Sequence, residues 1–268
     1  MADALSRVFR TFSSQDQVRK ELPGTPSIYS TLLVGEQNIS RSLLLLTAVT
    51  AASQLGGKAV FFTQTHIQHL PPFVQKCAPF VNPESLKKIK FCYPRTLEEL
   101  LQQVAGLHES NSTSTPPSLI IVDRLEAYLC GPGGSGQVGF HPEQLSRAAH
   151  LSALLCDTAV FLKQGSNSSA PCQLIASYIS EEDTRNAGGQ MHGNDSVLDV
   201  LDRFFQCRCT LTRDESNEVE AAALQEVWHI YISGTTAFNA GDCEDRNRVD
   251  QEWQLLIFCD GLMEFKMV

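Results

Sequence analysis

The sequence predicts an α/β fold with a mostly parallel central sheet and antiparallel strands at its C-terminal end. Three observations carry this. Strand-like and helix-like segments alternate from residue 30 onward, residues 118–123 form a near-continuous apolar strand that ends in Asp123, and the C-terminal third supplies further strand-like segments in succession. Alternation of this kind signals crossover connections between parallel strands. A strand apolar along its whole length is one covered on both faces.

The elements follow in order. Residues 1–27 are polar, end in Pro-Gly-Thr-Pro, and read as a flexible N-terminal segment or one short amphipathic helix; the domain proper runs from 28 to 268. Residues 30–34 are a short β-prone run into Gly35. Residues 42–54, rich in Leu and Ala and free of Pro, suit a buried helix stopped by Gly56-Gly57. Residues 58–63 form the second strand and 89–93 the third, stopped by Pro94; Thr96 then caps a helix whose Glu98 and Glu99 suit its positive end. The apolar run ending at Asp123 is the fourth strand and is central. His141-Pro142 opens a long helix to about residue 163, with Leu145, Ala148, Ala149, Ser152 and Leu155 on one stripe. Residues 173–179 are a strand and 197–205 a short helix, and strands follow at 208–212, 227–232 and 253–258.

Composition narrows the function. The 268 residues are 43% hydrophobic and 19% charged, enough for one large core, and no internal repeat is visible. The longest apolar run falls short of the roughly 20 residues of a membrane span, so no membrane partner is expected, and the first residues lack the apolar stretch of a secretory signal. Nine cysteines without a C-x-x-C pair argue for thiols and against a zinc ribbon. Cys207 and Cys209 share one strand face, but two further ligands are missing, so no metal site is expected. A net charge of −9 opposes tight autonomous binding to DNA, whose nonspecific affinity comes from Lys and Arg neutralising phosphates.

One motif bears on chemistry. A P-loop, G-x-x-x-x-G-K-[ST], cradles phosphates on backbone N–H groups while its Lys reaches the outer ones and its hydroxyl holds Mg²⁺. Residues 35–42 keep that frame, with Gly35, a basic Arg41 and Ser42, but Ser40 stands where glycine allows close approach, Arg41 replaces lysine, and Glu36 adds a negative charge. The bland alternative is an ordinary strand–turn–helix connection capped by a serine. Asp123 sits where a Walker B carboxylate would hold Mg²⁺, and is the candidate catalytic residue; Gly35, Ser40, Arg41 and Ser42 are the candidate nucleotide site, for ATP and Mg²⁺. The alternative for Asp123 is a turn-initiating Asp at a strand end. Both motifs fall at carboxyl ends of strands, where open α/β sheets bind ligands, and together with the layout of crossover helices and an antiparallel C-terminal extension they indicate a RecA-like P-loop core. Hydrolysis also needs a group that activates water, and residues 63–66 offer no carboxylate; Gln64 could orient a water. The loops at 130–139 and 181–195 lack basic character, and Lys87, Lys88 and Lys90 are the best local basic cluster.

Three stretches add a resemblance: L-K-K-I-K-F-C-Y-P at 86–94 with T-L-E-E-L at 96–100, S-L-I-I-V-D-R-L-E-A-Y-L at 118–129, and A-L-L-C-D-T-A at 153–159. Over residues 28–233 the chain resembles the SWIM-domain-associated proteins of vertebrates, atypical paralogues of the strand-exchange recombinase. The resemblance implies a nuclear accessory subunit of homologous-recombination DNA repair. Such a subunit pairs with a SWIM-type zinc-finger protein, associates with the recombinase and its paralogues, and supports the filament on single-stranded DNA. It also implies an ATPase stimulated by single strands, which Ser40 and Arg41 put in doubt for this chain. Two alternatives remain at this stage: an active ATPase in the same pathway, and a noncatalytic RecA-like scaffold of another complex, similar to the accessory subunits of Elongator. An accessory role predicts that Arg41→Ala leaves repair intact, and a motor predicts the opposite.

Overall fold

The computed structural model describes residues 4–13, 29–77, 82–109, 115–130, 142–164, 172–180, 195–214, 224–234 and 251–268. Within them lies one nine-stranded sheet. Its strands are β1 (Ser30–Val34), β2 (Ala59–Phe62), β3 (Ile89–Cys92), β4 (Leu119–Val122), β5 (Gln173–Tyr178), β6 (Cys207–Arg213), β7 (Leu224–Gly234), β8 (Gln251–Phe258) and β9 (Met263–Met267), in the spatial order β3-β2-β4-β5-β1-β6-β7-β8-β9. Pairing is parallel from β3 through β6 and antiparallel from β6 to β9, as the sequence predicts.

Strand alternation sends residues to two separate cores. Leu33, Phe61, Ile121 and Ile175 face one side, where α1 (Ala4–Thr11) and α2 (Gln37–Gln54) pack. Leu32, Val60, Ile120 and Leu174 face the other, covered by α5 (Leu97–Ala105), α7 (Pro142–Gln164) and α8 (Ser196–Leu201). Both faces of the parallel half are therefore buried, which explains why β2 and β4 read as unbroken apolar runs and why β1 is buried along its whole length, Ser30 and Thr31 included. Short helices α3 (Pro72–Cys77), α4 (Pro83–Leu86) and α6 (Leu125–Leu129) and a 3-10 turn (Gly106–Glu109) after α5 complete the described elements. Thr96 caps α5 as expected, its hydroxyl accepting from the Glu99 N–H at 3.2 Å.

Helix α7 is long and apolar enough to cross a membrane by length and composition alone. Its stripe of Ala148, Leu151, Leu155, Ala159 and Leu162 is nonetheless buried in the second core, which is the place of a core helix.

Two features differ from the sequence expectation. Within the segment read as a flexible lead, α1 is a docked helix, the other reading that segment allowed. Its Leu5, Val8 and Phe9 are fully buried, and Phe9 packs on Trp253 and Phe265 with ring centroids 5.6 and 4.9 Å away. A bridge from Ser13 to Phe265 ties the segment to β9, and residues 14–28 lie outside the described residues. Helix α2 starts at Gln37, five residues before the expected start, and this changes the site.

Candidate functional site

Four strands end together. Gly35 follows β1, Thr63 follows β2, Asp123 follows β4, and Ser177 lies one residue before the end of β5. Strand β5 lies between β1 and β4, so a side chain from the N-terminal turns of α2, which follows β1, must cross the end of β5 to reach Asp123. Arg41 makes that crossing. Its Nε donates to Asp123 Oδ2 at 2.8 Å and its Nη2 lies 2.7 Å from the same oxygen. The Nη2 contact is one of charge, because that nitrogen is buried without a hydrogen bond of good angle.

Other donors complete the carboxylate. The Thr63 hydroxyl donates to Oδ2 at 2.9 Å and Ser177 Oγ donates to Oδ1 at 3.4 Å. Asp123 is 1% exposed and the Arg41 side chain 20%. A buried pair of this kind adds little net stability over an apolar pair, but removing one partner leaves a buried charge and costs about 3–5 kcal/mol.

The connection itself is closed. Gly35 turns the chain with φ 154°, against β6: a Cβ there would lie 2.7 Å from the Leu211 Cβ. Glu36 occupies the N-cap position of α2 without a side-chain cap bond, its charge suited to the positive helix end. The Ser40 N–H bonds the Glu36 carbonyl at 3.0 Å, so residues 37–40 form the first turn of a helix where a P-loop wraps an anion. The Ser40 hydroxyl donates to the Gly35 carbonyl at 3.2 Å, and Ser42 Oγ donates to the Asn38 carbonyl. Both serines are buried.

ATP and Mg²⁺ do not fit this arrangement as it stands. The basic group that would meet phosphate and the carboxylate that would meet metal are bonded to each other, and the backbone of the cradle is wound into helix. Gln64 is also engaged: its amide donates to the Arg95 and Ala127 carbonyls at 3.1 and 3.2 Å.

Each candidate residue is thus accounted for. Gly35, Ser40, Arg41, Ser42 and Asp123 come together at one place, as their spacing predicts, with a bond between Arg41 and Asp123 that spacing does not reveal. Sequence reasoning missed the roles of Thr63 and Ser177, because a hydroxyl at a strand end has no motif of its own. It also missed Arg124 and Glu126. Lys87 and Lys88 precede β3 and so lie at the opposite end of the parallel strands from Asp123, which follows β4, and Lys87 pairs with Glu84 at 2.7 Å. Cys207 and Cys209 are buried on one face, as expected. Among the described residues no group of three or more His, Cys, Asp or Glu could hold a metal. The loops at 131–139 and 181–194 lie outside the described residues.

No family model matches the chain. It is 30% identical over 184 residues to the ATPase SWSAP1 of Homo sapiens, an alignment covering 68% of this chain and 71% of that protein. It is 28% identical over 214 residues to the ATPase SWSAP1 of Mus musculus, covering 80% and 68%. Among solved structures it resembles a KaiC-like protein of Pyrococcus horikoshii OT3, with TM-score 0.52, 11% identity and 91% of each chain covered. That structural likeness shows the fold alone.

Proposed function

The chain belongs to the family of the ATPase SWSAP1, a SWIM-domain-associated RecA-like paralogue, and from that premise we propose that it serves homologous-recombination repair as an accessory subunit and not as a motor. In this reading it works in the nucleus, pairs with a SWIM-type zinc-finger protein, reaches single-stranded DNA through that complex, and supports the recombinase filament. The observation that carries the choice of accessory over motor is the bond from Arg41 to Asp123. A motor needs those two groups on opposite sides of a Mg-nucleotide, and here they neutralise each other.

The test is co-expression with the SWIM-type zinc-finger protein of the same organism, followed by size exclusion, and repair assayed in cells lacking the wild-type chain. Arg41→Ala alone is a poor probe, since it strands the Asp123 charge. The double variant Arg41→Met/Asp123→Asn removes both charges and keeps an acceptor oxygen for one of Thr63 and Ser177, with an NH2 whose hydrogen bond the other hydroxyl can accept. Accessory function predicts a stable complex and repair at the wild-type level with the double variant. A chain that ignores the zinc-finger protein, or a double variant that folds and pairs yet fails in repair, would overturn the proposal.

A further inference from the structure

We infer that Arg41 is the built-in occupant of this fold's phosphate and metal position, so that removing the charge of Asp123 opens an anion site there where the same change in a working P-loop destroys one. The inference deepens the non-motor reading of this site and rests on it, but on neither the partner nor the pathway.

The geometry gives the reason. In a working site the ligand separates a cation from a carboxylate. In this chain the guanidinium crosses the end of β5 and bonds the carboxylate directly, with Thr63 and Ser177 as further donors on its two oxygens. A polyphosphate must break the Arg41 bond and then meets an uncovered anion; Mg²⁺ must strip three donors from Asp123. Neither ligand gains without the other. Neutralising Asp123 removes the obstacle and frees the cation. The side-chain amide introduced by Asp123→Asn keeps an oxygen for one of the two hydroxyls and offers its NH2 to the other, while Arg41, partly exposed and with Nη2 lacking a hydrogen bond, can turn to an outside anion. Charge-assisted bonds from a guanidinium to phosphate are strong and need no metal.

The experiment titrates ATP, once with Mg²⁺ and once with EDTA, into the full 268-residue chain and into Asp123→Asn. Calorimetry reads binding, and a thermal melt establishes that each protein is folded. The expected result is no saturable binding by the wild type in either buffer, and a gain of about ten- to a hundredfold in affinity for Mg-free ATP in Asp123→Asn. Adding Arg41→Met to that variant abolishes the gain.

Mg-dependent binding by the wild type that is lost in Asp123→Asn would overturn the inference, because that is the behaviour of a working pair. A folded Asp123→Asn as silent as the wild type would also overturn it, since Arg41 would then only brace the fold. If Asp123→Asn does not fold, the wild-type titration decides: metal-dependent ATP binding sinks the inference, and silence with Mg²⁺ upholds the occupant. Failure to pair with the zinc-finger protein changes none of these readouts.

Discussion

Arg124, next after Asp123, takes φ 65°, the left-handed region that costs a non-glycine residue about 1–2 kcal/mol. Two contacts hold it there: its N–H donates to Ser177 Oγ at 2.8 Å, and its side chain pairs with Glu126 at 2.9 Å. Glu126 in turn accepts from the Ile179 N–H at 3.1 Å, joining α6 to the chain after β5. Burial pushes the Glu126 carboxyl above its usual range, although Arg124 and these hydrogen bonds pull the other way. A carboxyl raised on folding binds its proton more readily in the folded state. Its contribution therefore favours folding at acid pH and is lost as pH rises through the folded value. At neutral pH the charged form weakens the fold relative to a neutral isostere. Glu126→Gln, which keeps the acceptor for Ile179, is expected to melt at a higher temperature than the wild type near neutrality. The difference shrinks as pH falls through the folded value and is gone below the unfolded value of about 4.3. A lower melting temperature at neutral pH would mean that the Arg124 pair outweighs burial.

At the scale of elements, helix α1 makes the sharpest case. It packs on α2 and β9, and its Phe9 is fully buried between Trp253 and Phe265. Phe9→Ala is expected to cost about 3–5 kcal/mol in chemical denaturation, as for other buried aromatics. A loss below about 0.5 kcal/mol, typical of a surface site, would show that the segment is not part of the core. The sequence alone allowed either a lead or a helix here, because so short a helix carries too few turns for periodicity and the aromatic partners of Phe9 lie at the far end of the chain. Strands β1 to β8 were legible as apolar or β-branched runs between breakers. β9 was not, being five residues long with only Met263 and Phe265 buried. The start of α2 was obscured by the P-loop frame, which makes residues 36–41 read as loop. That frame made Gly35, Arg41, Ser42 and Asp123 legible as one site. Their bond was not, because it depends on β5 lying between β1 and β4, and strand order is a property of the folded sheet.

For the whole molecule the deciding quantity is charge and where its cations are engaged. The chain carries 30 acidic and 21 basic residues. Many described cations already face carboxylates: Arg41 with Asp123, Lys87 with Glu84, Arg124 with Glu126, Arg147 with Glu143, Arg208 with Asp202 and Arg213 with Glu226. Apart from the buried Arg41–Asp123 bond such surface pairs are worth little to stability, but each lowers the positive potential that a phosphate backbone would meet. The affinity of single-stranded DNA for a protein falls with salt with a logarithmic slope of about −0.7 per phosphate neutralised. The isolated chain is therefore expected to bind a single strand weakly, with a slope near that of a single contact or none. If the proposed complex with the SWIM-type zinc-finger protein forms, it is expected to bind more tightly and with a steeper slope, the difference counting the phosphates that the partner neutralises. Fluorescence anisotropy across a salt series measures both slopes. Equal slopes for chain and complex, each of several phosphates, would place the DNA contact on this chain and end the view that it reaches DNA through its partner.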